Sequence, residues 1–439
     1  MTYVRFTPPR VSFARFAILI FLFALAGGWP AAIGQQPQQN SGSARIQTLS
    51  VTGSTKYQSD QIVPVTGLHV GQVVTRQDIQ NGANALSELG LFSNVRYDFF
   101  TGMLGVQIKY EVADAPTVPA FFDDFPWFTD AQLIAFIKSS VPLFDGTAPK
   151  GGKILDQISN ALEEDLQSRT ITADVSHELT ALPWNEQEVM AFRAGGYTMP
   201  AVQNIQFGDS LASSDRAIAD RIGDLVGKPY SRMAIATFEF EQVRPVYLDH
   251  AFLEVKFGDP VGQVSGNKVT IRAPITPGPA FTWNGLTWEG NRAIPGMQLN
   301  TLVNLVPGTS ANGMQIQGAW EKVRAAFEKL GYLDVTVDAV PHFDDATRQV
   351  SYDVQITEGP QYHMGKLVLS GVSMEGERRL REAWKIQPGA VFDDSAYQEF
   401  LDTGIKHAFA GLPFHYQTIQ RYLDKHPDQG EINVMLNFE

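Results

Sequence analysis

The sequence predicts an α+β fold built as a tandem array of five similar modules, each a three-stranded sheet with two helices on one face. Three observations predict it. A strand-like pattern ends in glycine four times, at Gly53, Gly208, Gly290 and Gly371. A strictly alternating apolar strand follows each of the last three glycines at a nearly constant interval, starting at Val269, Val350 and Ile432, and in the first copy Val106 follows Gly53 at a somewhat shorter one. Apolar stripes at helical spacing lie between these marks, so each copy reads β-α-α-β-β. The stretch from Gly53 to Gly208 is nearly twice as long as those from Gly208 to Gly290 and from Gly290 to Gly371, which leaves room for one further, degenerate copy. The predicted modules span 45–115, 116–200, 201–279, 280–361 and 362–439.

In module one, Ile46, Leu49 and Val51 lead to Gly53 as a first strand, and Ser59 to Val65 suits a short helix. Thr75 with Asp78 forms an N-cap followed by an acidic third residue. Ile79, Ala83, Leu86 and Leu89 then share one helical face, and Gly90 stands where a helix ends in left-handed backbone. A hairpin follows, Phe92 to Phe100 and Val106 to Val112.

Module two is inferred mainly by subtraction. Thr129 to Val141 and Ile154 to Leu166 predict its helices, and Ala173 to Leu179 with Val189 to Ala194 predict a poorly alternating hairpin. Its aromatic cluster of Phe121, Phe122, Phe125, Trp127 and Phe128 reads as core packing rather than a binding patch. In module three, Val202, Ile205 and Phe207 form the first strand and Val269 to Ile275 the last. Pro245 is expected to stop its second helix at Arg244, because proline lacks a donor and clashes with the preceding turn.

Module four has the clearest pattern. Ser310 is placed to cap a helix whose buried face reads Ile316, Trp320, Val323, Phe327 and Leu330, and Gly331 ends it. Tyr332 to Val340 and Val350 to Ile356 form its hairpin. Module five runs from Leu367–Gly371 to Ile432, Val434, Leu436 and Phe438. Modules four and five are expected to be the best-ordered end and module two the most variable. Pro277-Gly278-Pro279 and Glu358-Gly359-Pro360 form short, stiff joints, with Gly278 as far before Gly290 as Gly359 is before Gly371.

Residues 1–34 read as a secretory signal. Arg5, Arg10 and Arg15 precede the apolar run Phe16–Ala26, and Ala32-Ile33-Gly34 offers small residues for cleavage after Gly34. An uncleaved N-terminal anchor is the other reading of this segment. Residues 35–44 are a polar, flexible tether. No later segment is long and apolar enough to cross a membrane as a helix. The chain has no cysteine, which excludes disulfides, thiolate metal sites, a thiol nucleophile and an N-terminal lipid anchor on cysteine. The formal charge of −13, or −16 without the three leader arginines, argues against nucleic acid as a partner.

Motifs for chemistry are lacking. Gly146 to Lys153 resembles a phosphate loop, but Gly152 stands where lysine is needed and Ile154 follows Lys153. The eight histidines show no metal-ligand spacing, and no Gly-x-Ser-x-Gly elbow occurs. Glu163-Glu164-Asp165 reads as a solvated helix face. The expectation is a non-enzyme with no cofactor and no metal.

The module order, the strand-end glycine, Leu330-Gly331-Tyr332 before the hairpin and Ile356-Thr357-Glu358-Gly359-Pro360 after it resemble the POTRA (polypeptide-transport-associated) domain. Leu89-Gly90-Leu91-Phe92-Ser93-Asn94-Val95 looks like the same family's sequence at the matching place in module one. Tandem POTRA arrays form the periplasmic arm of BamA-like outer-membrane barrel-assembly proteins. The resemblance implies a periplasmic chain that binds unfolded outer-membrane polypeptides and docks to a barrel-assembly protein. No barrel segments follow the last strand before Glu439, so insertase activity is not carried over and retention at the outer membrane is expected through partners, with no membrane span after cleavage.

The expected mechanism is β-augmentation. A sheet covered on one face keeps an edge whose amides and carbonyls can pair with any extended chain. The candidate edge strands run Val95–Phe99, Phe252–Phe257 and Val335–Ala339, with Val95, Tyr97, Phe99, Phe252, Val255, Phe257, Val335 and Val337 as the expected client-binding residues. A structural scaffold or adaptor in the envelope is the alternative, and an enzyme with a site between modules a more remote one.

Overall fold

The computed structural model describes residues 43–412 and 416–439. The predicted leader, nearly all of the tether and His415 lie outside the described residues. Five main sheets follow one another along the chain. Unit one contains β1 (Ala44–Thr52), β2 (Val73–Val74), β3 (Phe92–Gly102) and β4 (Gly105–Asp114) in the order β2-β1-β4-β3. Unit two contains β5 (Thr117–Phe122), β6 (Thr147–Pro149), β7 (Asp174–Ala181) and β8 (Glu188–Gly195) in the order β6-β5-β8-β7. Unit three has β9 (Ala201–Phe207), β10 (Lys256–Phe257), β11 (Val261–Ser265), β12 (Lys268–Ala273) and β13 (Ile275–Thr276). Its sheet is β11-β12-β9, and β10 pairs with β13 as a separate ribbon. Unit four orders β14 (Thr282–Glu289), β15 (Thr336–Asp344) and β16 (Gln349–Thr357) as β14-β16-β15. Unit five orders β17 (His363–Ser370), β18 (Ile419–His426) and β19 (Glu431–Phe438) as β17-β19-β18.

The last strand of each unit's main sheet is central. It pairs parallel with the unit's first strand and antiparallel with the strand before it. This explains why the period-two pattern is strictest there. In β16, Val350, Tyr352, Val354 and Ile356 are buried and their neighbours are not, and Ile432, Val434, Leu436 and Phe438 do the same in β19.

The three strand-end glycines Gly53, Gly290 and Gly371 have φ of 99°, 80° and 75°, and an added Cβ would lie 2.1, 2.1 and 2.0 Å from the carbonyl oxygens of Val112, Ile356 and Phe438. Only glycine fits such an approach. Gly208 differs, since its φ is not in the left-handed region.

A second recurring device is a loop clasped to the start of each first strand. Ile46, Val202, Trp283 and Met364 donate their amides to the carbonyls of Gln72, Lys228, Thr309 and Ala390 at 2.8 Å. The same residues accept from the amides of Gly71, Gly227, Gly308 and Gly389 at 2.6–2.8 Å. Unit two keeps part of it, with the Ala120 amide donating to Gly146 at 3.0 Å. Irregular register follows directly in units one, three, four and five, at Ile46/Thr48, Val269/Thr270, Trp283/Gly285 and Met364/Leu367.

The helices of units one and two agree with their sequence signals: α1 (Ser59–Ile62), α2 (Arg76–Leu89), α3 (Asp130–Ser140) and α4 (Lys153–Ser168). The Asp78 amide donates to Thr75 Oγ1 at 3.3 Å and the Thr75 amide returns to Asp78 Oδ2 at 2.8 Å. Thr75→Ala removes both the hydroxyl acceptor and the hydroxyl donation to Asp78, and is expected to lower unit-one stability by about 1 kcal/mol in a denaturant titration. In unit two Phe122, Phe125 and Phe128 are buried, in keeping with core packing.

Unit three corrects one expectation. Its second helical stretch does not stop at Arg244. After α5 (Ser210–Ser214) and α6 (Arg216–Ile222), α7 (Arg232–Phe238) passes through a π turn, Glu239–Val243, into α8 (Arg244–Asp249). The Arg244 amide bonds to the carbonyl of Glu239, and Pro245 enters as the second residue of α8. The widened turn absorbs the proline, which would clash in a regular ladder.

Unit four corrects another. Asn312, not Ser310, caps α10 (Gly313–Glu328), which follows α9 (Gly296–Val303). Leu330 lies beyond the helix and is exposed, while Ile316, Val323 and Phe327 are buried and Trp320 is half-buried against Tyr352 and Trp288. Ser310 instead bridges Thr282 in the clasped loop. Unit five follows with α11 (Met374–Ala383), α12 (Asp394–Glu399), a π turn Phe400–Gly404 and α13 (Ile405–Phe409).

Units one and two share one continuous core, units four and five each have their own, and the core of unit three is divided in two. The poor alternation of unit two therefore goes with a core continuous with its neighbour. The glycine-rich segment before α4 is part of that contact. An added Cβ at Gly90 would lie 2.0 Å from the Gly151 carbonyl oxygen, and one at Gly152 would lie 2.5 Å from Gly90 Cα. The end of α2 and the start of α4 thus touch through bare backbone, so these glycines serve packing. Asp165 is also a correction: it is buried in α4 rather than solvated.

Candidate functional site

Each unit leaves one hairpin strand at the sheet edge: β3, β7, β11, β15 and β18. An edge accepts another strand only where its outward amides and carbonyls are free and its flank is clear. Four of the five are blunted. In β7 the Val175 amide donates to Glu163 Oε1 of α4 at 2.7 Å. β11 is a short strand, and a unit-two loop packs on its face, where an added Cβ at Gly262 would lie 2.2 Å from the Pro126 carbonyl oxygen. Pro341 interrupts β15 opposite Tyr352. Charged Arg421, Asp424 and Lys425, with His426, line β18, and Lys425 Nζ is held 2.6 Å from Asp334 Oδ1 of unit four.

β3 differs. It is the longest of these edges, it contains no proline, most of it is exposed, and its charged residues are limited to Arg96 and Asp98. Val95 and Tyr97 pack against the core beside α2, and the Tyr97 hydroxyl donates to Gln80 Oε1 at 2.9 Å. The Tyr97 and Phe99 rings stack at 6.4 Å, and the Arg76 guanidinium lies 5.4 Å from the Phe99 centroid. A strand added to β3 would set alternate side chains beside this Val95–Tyr97–Phe99 row.

The other expected binding residues are not assembled with it. Phe252 and Val255 are outside any strand: Phe252 donates its amide to the Tyr247 carbonyl, and both side chains pack on the unit-three core. Phe257 belongs to the short ribbon with Ile275. The hairpin edge of the unit-three sheet is β11 instead. Val335 precedes β15 and is buried, and Val337 alone of that pair is in the strand. The expectation failed in unit three because Phe252–Phe257 reads as an alternating strand but follows α8 closely, and Phe252, Val255 and Phe257 pack against the cluster that holds Phe238, Val243 and Tyr247.

A second polar feature lies at the joint between units two and three. Asp123 is buried at the end of β5 and accepts from the Ser231 hydroxyl at 2.9 Å and the Met233 amide at 2.8 Å, both far along the chain. Arg232 bonds to Asp130 of unit two and, at 2.7 Å, to Asp259. Burial and the neighbouring Asp123 push the Asp124 carboxyl up to about 7. Burial pushes Glu239, first residue of the π turn, up to about 8 against the pull of Arg232, and its Oε1 has no hydrogen-bond partner. The bonds of Asp123 to Ser231 and Met233 and of Asp130 to Arg232 fasten the joint. Among the described residues, no group of three or more His, Asp or Glu is placed to hold a metal ion, and no helix is long and apolar enough to cross a membrane.

Comparison with known proteins bears on this frame. Residues 281–359 match the POTRA family model described as "Surface antigen variable number repeat". A putative outer membrane protein assembly factor of Treponema pallidum (strain Nichols) is 21% identical over 137 residues, which is 31% of this chain and 16% of that protein. The chain thus spans about a sixth of the length of that curated relative. Among solved structures, POTRA3-5 of Haemophilus influenzae BamA is 16% identical, with 55% of this chain and 96% of that one covered at a TM-score of 0.44. The N-terminal domain of Omp85 from Thermosynechococcus elongatus is 12% identical, with 91% and 98% covered at a TM-score of 0.23. Residues 281–359 match a POTRA repeat, and the chain, whose other four units repeat the same central-strand frame, resembles the tandem POTRA repeats of BamA-like outer-membrane assembly proteins.

Proposed function

We propose that the chain is a periplasmic five-module POTRA array, divided near residues 115, 200, 279 and 361, that holds unfolded β-rich outer-membrane polypeptides by strand addition and docks to a barrel-assembly protein. The observation that carries the reading is the contrast among the edges: four are blunted and β3 is open. Pairing through the backbone gives affinity with little demand on client sequence, and the Val95–Tyr97–Phe99 row adds a preference for apolar residues at alternate positions.

Neighbouring residues in an antiparallel edge point their amides in opposite directions, one into the ladder and the next outward. Arg96→Pro and Tyr97→Pro are therefore tested as a pair. The one that removes an outward amide leaves the β3–β4 ladder intact, and that variant is expected to weaken binding of an extended β-peptide roughly tenfold, the loss of about one hydrogen bond and its alignment. Unchanged affinity in both variants overturns the assignment of β3.

A second reading, a scaffold that spaces partners, is favoured by the ties between units: Asp123 to Ser231, Asn312 to Asp249, and Lys425 with Tyr362 to Asp334. It predicts no peptide binding at any edge.

A further inference from the structure

The end of unit one at which the chain enters differs from the rest of the molecule. All four strands of that sheet meet there. Ala44 and Arg45 at the start of β1 pair with Val74 and Val73, and Ile46 pairs with Val106. Gly102 and Gly105 close the β3–β4 hairpin, and an added Cβ at Gly105 would lie 2.3 Å from the Arg45 carbonyl oxygen. Strands spaced at about 4.8 Å put the four ends within roughly 15 Å. This end displays Val70, Val73, Phe100, Met103 and Leu104 to solvent; Phe100 is 69% exposed and Leu104 82%. Isolated exposed apolar residues are ordinary, but five around one set of strand ends are not.

Charge marks the same end. Residues 43–52, 68–77 and 99–108 contain Arg45 and Arg76 and no Asp or Glu, in a chain with 47 acidic residues. The corresponding hairpin turns of units four and five carry Asp344-Asp345 and Asp428. Arg45 is anchored by donating to the Gly71 carbonyl at 2.7 Å and Arg76 lies over Phe99, so both cations belong to the apolar rim. The predicted tether, residues 35–44, contains no charged residue.

We propose that this end of unit one is a lipid-docking tip, in which Phe100, Met103 and Leu104 insert at the surface of an anionic bilayer and Arg45 and Arg76 meet headgroup phosphates. A lipid surface fits better than a folded partner for two reasons. Phe100, Met103 and Leu104 stand exposed at the turn of one hairpin, which suits a fluid phase. The uncharged-to-basic rim on an otherwise acidic chain orients this end alone toward negative headgroups. The rest of the acidic surface is held away, so the tip sets orientation as well as contact.

The absence of cysteine allows a site-specific test on the full chain. Met103→Cys is labelled with an environment-sensitive fluorophore, with the exposed Met374→Cys as the control site. Vesicles are phosphatidylcholine, with and without phosphatidylglycerol. The expected result is a blue shift at position 103 and none at 374, with partitioning roughly tenfold stronger when phosphatidylglycerol is present. Adding Phe100→Ser and Leu104→Ser should weaken the shift roughly tenfold or more, with thermal unfolding unchanged because both side chains are exposed. A chain that reaches the vesicles while the probe at 103 stays in water overturns the proposal. A shift that appears without vesicles as protein concentration rises also overturns it and assigns the tip to a second copy of the chain.

Discussion

Phe327→Ala is expected to cost unit four about 3–5 kcal/mol. Phe327 is fully buried on α10, in one core with Ile356 and Val323, and its ring meets Tyr332 edge-on at 6.2 Å. Tyr332 begins the segment that turns back toward β15, and the Tyr332 amide donates to the Phe327 carbonyl at 3.1 Å. The large cavity left by alanine cannot collapse easily, because sheet and helix are both fixed by their own ladders. Trp320→Ala should cost less, since Trp320 is half-buried and part of its ring already faces water. Denaturant unfolding of the two variants checks the order. A greater loss for Trp320→Ala would contradict the core as described.

Unit three is expected to lose stability as pH rises from about 4.5 to about 8. The Glu239 carboxyl is raised from 4.5 to about 8 in the folded chain, chiefly by burial. Between those values the native state retains a proton that the unfolded chain has released, so unfolding releases protons and ΔG of unfolding falls with rising pH. Below the lower value both states are protonated and the penalty is absent; above the upper one it is complete. Each unit of pKa difference corresponds to about 1.4 kcal/mol, so the fall is on the order of several kcal/mol. Asp124, raised from 3.8 to about 7, acts in the same direction over a slightly lower window. Arg232, Asp123, Tyr230 and Asp259 also face this joint. Glu239→Gln keeps the shape and removes the titration. Thermal unfolding followed at about pH 5 and about pH 8.5 should show a smaller drop in the variant than in the parent. Equal drops would move the cause away from Glu239.

The fold was largely legible because repetition carries it. Gly290 and Gly371 announced themselves by recurring in step with their alternating strands, and Gly53 did so at a shorter interval. The backbone shows why, as each lies against a carbonyl of the central strand. The Thr75–Asp78 cap and the alternation of Val350 to Ile356 were equally direct, since both are set by neighbours close in the chain. The clasped loops were missed, although Gly227, Gly308 and Gly389 recur at equal intervals, because a single glycine in a loop has no pattern of its own. Pro245 misled because its clash is relieved by a π turn that no local signal announces.

The candidate site was legible in part. Val95, Tyr97 and Phe99 do share a free edge, because the hairpin that contains them is closed by its own turn. The blunting of the other edges was not legible, because it comes from distant residues: Pro126 lies against Gly262, and Glu163 reaches Val175. Asp123 meets Ser231 and Met233 across a stretch of chain at which spacing is silent.

The central claim is that an extended chain joins the molecule at β3. Hydrogen–deuterium exchange of the full chain, with and without a saturating extended β-peptide, tests it most directly. Outward amides of an edge strand exchange freely until a new strand covers them. The account predicts slowed exchange confined to Phe92–Gly102, with β7, β11, β15 and β18 unchanged. Protection elsewhere with β3 unchanged, or none at a peptide concentration that saturates binding, would contradict it.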